Sequence, residues 1–90
     1  VFWYIHAPVS SFAPGTRLAV ALSRPANVHW GSNGWRDIRD EPTIDTGLGF
    51  HVASLEVDKL ALGMRVDFTW RWHDSGEWQG LDYAVIVADN

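Results

Sequence analysis

Residues 65–72 constrain the fold of this chain more than any other segment. Val66, Phe68, Trp70 and Trp72 alternate with Arg65, Asp67, Thr69 and Arg71. Side chains two apart share one face of a β-strand, and a helix cannot separate them in this way. Asp74-Ser75-Gly76 follows as a turn. Residues 82–88 resume the alternation with Tyr83, Val85 and Val87 on one face. Together they predict an antiparallel hairpin with 73–81 as its loop. The same period recurs over 17–23, after Pro14-Gly15, where Leu18, Val20 and Leu22 alternate with Ala19, Ala21 and Ser23. Further strands are expected at 2–6, at 27–30 after the break at Pro25-Ala26-Asn27, and at 49–57. A phase slip between Val52 and Leu55 predicts a bulge or bend in the last of these. Residues 36–48, charged and punctuated by Pro42 and Gly47, read as a loop. No segment keeps helical periodicity over three turns, and Val57 to Leu62 offers one short turn ended by Gly63. The expected fold is all-β: an antiparallel β-sandwich of six to eight short strands, immunoglobulin-like.

Ninety residues suit one domain, and 47% hydrophobic against 20% charged residues predicts a packed globule. The net charge is −4 and the seven basic residues form no cluster, which argues against nucleic acid and against an anionic membrane surface. No apolar run approaches the roughly 20 residues of a membrane helix. The absence of cysteine excludes thiol chemistry and Cys-ligated zinc. His6, His29, His51 and His73 lack metal-ligand spacing. Asp37, Asp40, Glu41 and Asp45 lack the EF-hand pattern and read as a solvated loop, with a calcium site as the alternative. No cofactor is expected. Glycoside hydrolysis needs two facing carboxylates, and Glu41, Glu56 and Glu77 lie in separate segments, so no catalytic role is expected. The chain starts at Val1 without a signal core, and we read it as a domain of a larger protein.

Six Trp, four Phe and two Tyr are a heavy aromatic load. Trp30 shares a face with Val28, and Trp70 and Trp72 share one with Phe68, so all three belong to the core by periodicity. His29 points the other way. Trp35 lies beyond Asn33-Gly34, a dipeptide that readily adopts left-handed turn conformations. Such a turn can return Trp35 beside His29; alternatively, Trp35 caps the end of the sandwich. Trp78 sits between Gly76 and Gly80 in a loop, where exposure is expected. Exposed indoles beside imidazole and amide groups suit a flat, hydroxyl-rich, partly apolar ligand such as a sugar. Trp35 and Trp78 would stack on pyranose faces, and His29, Asn33 and Gln79 would hydrogen-bond the hydroxyls.

Val28-His29-Trp30-Gly31 followed by Asn33-Gly34-Trp35 resembles the starch-binding carbohydrate-binding modules of families 25 and 26. Asp74-Ser75-Gly76-Glu77-Trp78 is similar to a later loop of those modules. The resemblance spans roughly residues 1–88. It implies a β-sandwich module appended to a secreted amylase-type glycoside hydrolase, with an α-glucan lying across two aromatic rings. By position it places His29 and Trp35 in the first element and Trp78 in the second. The expectation is therefore a non-catalytic, secreted, monomeric module that binds starch or maltooligosaccharides. Its partners would be the α-glucan and the parent chain's catalytic domain. The alternative is a structural accessory domain in which Trp35 and Trp78 are buried against a neighbouring domain. A protein-recognition sandwich is a third reading, but its loops should be richer in Tyr and Ser.

Overall fold

Alternation becomes strand wherever the sequence shows it. The computed structural model describes residues 1–32 and 34–88. The described residues form nine strands and no helix: β1 (Phe2–Tyr4), β2 (Ser11–Phe12), β3 (Leu18–Leu22), β4 (Ala26–Ser32), β5 (Arg36–Pro42), β6 (Ile44–Asp45), β7 (His51–Leu55), β8 (Arg65–Trp72) and β9 (Tyr83–Val87). They make two sheets, β1-β3-β7-β6 and β2-β9-β8-β4-β5. The hairpin expected from 65–88 is present as β8 and β9, with Val66 opposite Val85 and Phe68 opposite Tyr83.

The core lies between the sheets. Leu18, Val20, Leu22, Ala53 and Leu55 come from one sheet, and Val28, Trp30, Val66, Phe68, Trp70, Val85 and Val87 from the other. Trp3 of β1 is 2% exposed and crosses the gap. Its ring centroid lies 4.9 Å from Phe68, nearly edge-on, and 4.9 Å from Tyr83. Trp70 stacks on Tyr83 at 5.3 Å with planes 9° apart. Burying a large apolar side chain contributes about 1.5–3 kcal/mol, so this aromatic cluster is a main source of cohesion.

Three expectations need correction. Residues 36–48 are not one loop: 36–42 form an edge strand on β4, and 44–45 join β7 in the other sheet. The edge position explains the disguise. An edge strand with no apolar face shows no alternation, and its Arg, Asp and Glu side chains discourage pairing with another chain. Between β5 and β6, Thr43 clasps β4 as the chain changes sheets: its Oγ1 donates to the carbonyl of Ala26 (3.1 Å) and accepts from the Ala26 N–H (3.0 Å). Second, β7 carries no bulge; it pairs with β3 in unbroken register from Leu18–Leu55 to Leu22–His51. Ala53 and Leu55 face inward, and Val52 is an apolar residue on the outer face. The one register shift in β4 and β5 falls between Trp30 and Ser32. Third, the sheets are mixed. The pairs β1–β3 and β2–β9 are parallel. Parallel neighbours need a long connection, and residues 5–17 supply it by passing through β2 in the opposite sheet.

Candidate functional site

The outer face of the five-stranded sheet carries the expected aromatic residues. Strand alternation sends Val28 and Trp30 into the core and turns Asn27, His29 and Gly31 outward. Across the sheet, His29 stands between Asp40 of β5 and Thr69 of β8. The Asp40 carboxylate lies 2.8 Å from Nδ1 of His29 and accepts a second bond from the Asn27 amide at 3.1 Å. A carboxylate cannot donate, so in the neutral imidazole Nδ1 carries the proton and Nε2 offers a lone pair. Asp40 thus fixes both the orientation of the ring and what its free nitrogen can do.

Trp35 arrives from the β4–β5 turn. Gly34 (φ 79°) and Trp35 (φ 65°) both adopt left-handed backbone, which in a bulky residue is strained and persists only where its surroundings enforce it. Two contacts do so. The Gly34 N–H donates to Asp67 Oδ2 at 3.3 Å, and Asp67, 6% exposed, is held by Arg65 at 3.0 Å. The Trp35 backbone also lies directly over Gly31. A Cβ at Gly31 would sit 3.0 Å from the Arg36 carbonyl oxygen and 3.1 Å from Trp35 Cα. The result is an indole stacked beside His29, with centroids 5.8 Å apart and planes at 26°.

Trp78 comes from the opposite side. After the turn at 73–75 the chain runs back along β8. The Trp72 N–H donates to the Glu77 carbonyl and the Gln79 N–H to the Trp70 carbonyl, both at 2.9 Å, and Trp78 bridges Arg71. Trp78 is 49% exposed and meets His29 at 5.6 Å, edge to face at 78°. Arg71, anchored by Nε to the Gly76 carbonyl at 2.7 Å, lies 6.0 Å from its ring centroid. His29 therefore sits between two indoles. Because one is near-parallel to it and the other near-perpendicular, the indoles cannot be coplanar.

Of the residues expected from sequence, the structure brings together His29, Trp35 and Trp78. Asn33 lies outside the described residues. Gln79 does not join them: as Trp78's neighbour in an extended segment it points to the other side, its Oε1 accepts the Leu81 N–H at 3.0 Å, and it lines a separate cleft at the end of the sandwich. Trp72 is half-buried beneath Arg24, 4.2 Å from its ring. Among the described residues, no group of three or more His, Asp or Glu is arranged to hold a metal.

The chain is similar to part of a carbohydrate-active enzyme. It is 28% identical over 97 aligned positions to a cycloisomaltooligosaccharide glucanotransferase of Niallia circulans, covering 96% of this chain and 10% of the relative. A second protein of that name and organism is 22% identical over 96 positions, with 94% and 10% covered. The chain thus spans about a tenth of the length of these curated relatives. No family model matches it, and no solved structure matches it significantly.

Sequence reading missed the supports of the site: Asp40, Gly31 and Asp67. Asp40 carried no sequence signal. Counting back from a two-residue Asn-Gly turn puts Ile38 opposite His29, whereas the observed pairing, with its register shift between Trp30 and Ser32, puts Asp40 there. Gly31→Ala is an expected test of this construction. The added methyl must displace the Trp35 backbone, with a cost of about 1–3 kcal/mol as in overpacking. Denaturant unfolding should show the loss, and the Trp35 indole NMR signal should shift while that of Trp3 stays. A Gly31→Ala protein with wild-type stability and an unmoved Trp35 signal would mean that the close approach is not required.

Proposed function

We propose that this chain is a non-catalytic α-glucan-binding module of a larger carbohydrate-active enzyme. The observation that carries the proposal is the convergence of His29, Trp35 and Trp78 with the two indoles in different planes. Pyranose rings present apolar C–H faces that stack on indoles. A flat β-linked chain suits a coplanar row of rings, whereas an α-glucan bends between successive units and suits rings set at an angle. In the neutral ring, His29 Nε2 accepts a hydrogen bond from a sugar hydroxyl. The relatives' name supports the same ligand class and adds isomaltooligosaccharides to maltooligosaccharides and starch as candidates. The likeness to families 25 and 26 rests on the two aromatic motifs. A secreted, monomeric module attached to a glycoside hydrolase is the setting we propose for it.

A titration decides the matter. Maltoheptaose and isomaltoheptaose should quench tryptophan fluorescence, with Kd on the order of micromolar to millimolar, because a shallow site leaves little surplus after ordering the sugar. Cellohexaose should bind much more weakly. The isolated chain should release no product from any of them. If neither α-glucan changes the fluorescence or the indole NMR signals at millimolar concentration, the proposal fails. The structural accessory reading would then lead, favoured by the exposed Phe2 and Ile44 on the outer face of the four-stranded sheet.

A further inference from the structure

The residue that sequence reading placed in the sugar site and the structure moved elsewhere, Gln79, marks a second cleft. This cleft of about 380 Å³ opens at one end of the sandwich, between the end of β1, the end of β3, the segment before β7 and the end of β8. That volume lies at the lower end of the roughly 300–1,000 Å³ of small-molecule sites. Four aromatic side chains, Tyr4, Phe50, Trp70 and Trp72, line its wall beside Ile5, Ala21 and Leu22. Tyr4 and Phe50 meet edge to face at 6.4 Å, and Trp70 and Trp72 at 5.9 Å. His6 and Gln79 add polar groups at the rim.

One further fact distinguishes this cleft from an ordinary seam between sheets. Trp70 is 1% exposed, and its indole Nε1–H has no acceptor among the described residues. A shielded donor without a partner is unfavourable, and native structures rarely keep one without a reason. By contrast, in a groove of about 200 Å³ lined by Asp37, Arg39, Glu56 and Lys59, two of the charged groups are already paired, Arg39 with Glu56 at 3.7 Å. Aromatic walls with a few polar groups beside them are the combination that sugar sites use: C–H faces against rings, hydroxyls to donors and acceptors.

We infer that the end cleft is a second carbohydrate subsite, taking a glucosyl unit of the same α-glucan class. This rests on the α-glucan reading of the outer site. The two sites share the segment Glu77–Gln79, which turns Trp78 to the outer face and Gln79 to the cleft.

The test uses the 90-residue chain, with ¹⁵N-labelled indoles assigned by single Trp→Phe variants. Maltoheptaose and isomaltoheptaose are titrated separately. The Trp70 and Trp72 indole signals should move in the wild type and should still move in Trp78→Ala. Gln79→Ala should weaken the response at Trp70 several-fold while Trp35 and Trp78 respond as before. If Trp35 and Trp78 move but Trp70 and Trp72 do not, the second subsite is wrong and the outer site stands. A Trp70 response that vanishes in Trp78→Ala is transmitted from the outer face, which also overturns the inference. Movement at Trp70 and Trp72 alone supports the cleft and refutes the outer site. No movement anywhere refutes both.

Discussion

Trp3→Ala is expected to remove about 3–5 kcal/mol of stability, the usual cost of truncating a large buried aromatic. Small domains hold roughly 5–15 kcal/mol in total, so the variant should be marginal. A chain of this size loses about 4–8 °C of Tm per kcal/mol, and the shift should reach tens of degrees. The reason lies in position. Trp3 comes from a three-residue strand, yet its ring touches Phe68, Trp70 and Tyr83 of the opposite sheet. Its loss leaves a cavity that those rings cannot close without abandoning their mutual stacking. Trp78→Ala is the control, since an indole that is 49% exposed should leave the thermal midpoint within a few degrees. Equal midpoints for Trp3→Ala and wild type in thermal and denaturant unfolding would show that the aromatic bridge does not hold the sheets together.

The second large effect is on binding. Trp35→Ala and Trp78→Ala should each weaken α-glucan binding about tenfold or more, a loss of at least roughly 1.4 kcal/mol. Each variant deletes one of the two indoles proposed to stack on the sugar at the outer site. The proposed ligand is a neutral glucan, so raising the salt concentration should leave the affinity nearly unchanged. Calorimetric titration of both variants separates two geometries. Loss in both means that the sugar spans the rings across His29. Loss in Trp78→Ala alone would mean that Trp35 only shapes the imidazole's surroundings and is not itself a stacking surface.

Much of this was legible in the residues, for identifiable reasons. The strand at 65–72 coincides with β8 because its alternation is strict and one face is buried from Val66 to Trp70. His29, Trp35 and Trp78 were legible because each is an aromatic group in a place where packing does not call for one. The edge strand β5 was hidden because its charges carry no periodic signal; only its hydrogen bonds to β4 make it a strand. With it went Asp40. Gln79 was misplaced for a related reason. Read as a loop, 76–80 gives no basis for sending neighbours to opposite sides, whereas the observed bonds to Trp70 and Trp72 make the segment extended. The role of Gly31 became visible only through the close approach of Trp35, a tertiary contact that no local pattern encodes.

The parallel pairing of β2 with β9 has a consequence for how the protein is made. Ser11 and Phe12 lie beside Ile86 and Val87, and the N–H groups of Ile86 and Ala88 donate to the carbonyls of Ser10 and Phe12 at 3.0 and 2.9 Å. β9 is also the strand that joins β2 to the rest of its sheet. During translation, at roughly 5–20 residues per second, Phe12 must wait several seconds for the neighbour that covers it. Pairing across so long a stretch of chain is also slow in itself, because loop entropy is lost before any contact is gained. A nascent chain stalled before residue 83 therefore exposes an aromatic side chain and an unpaired edge, a target for chaperones rather than a partly finished domain.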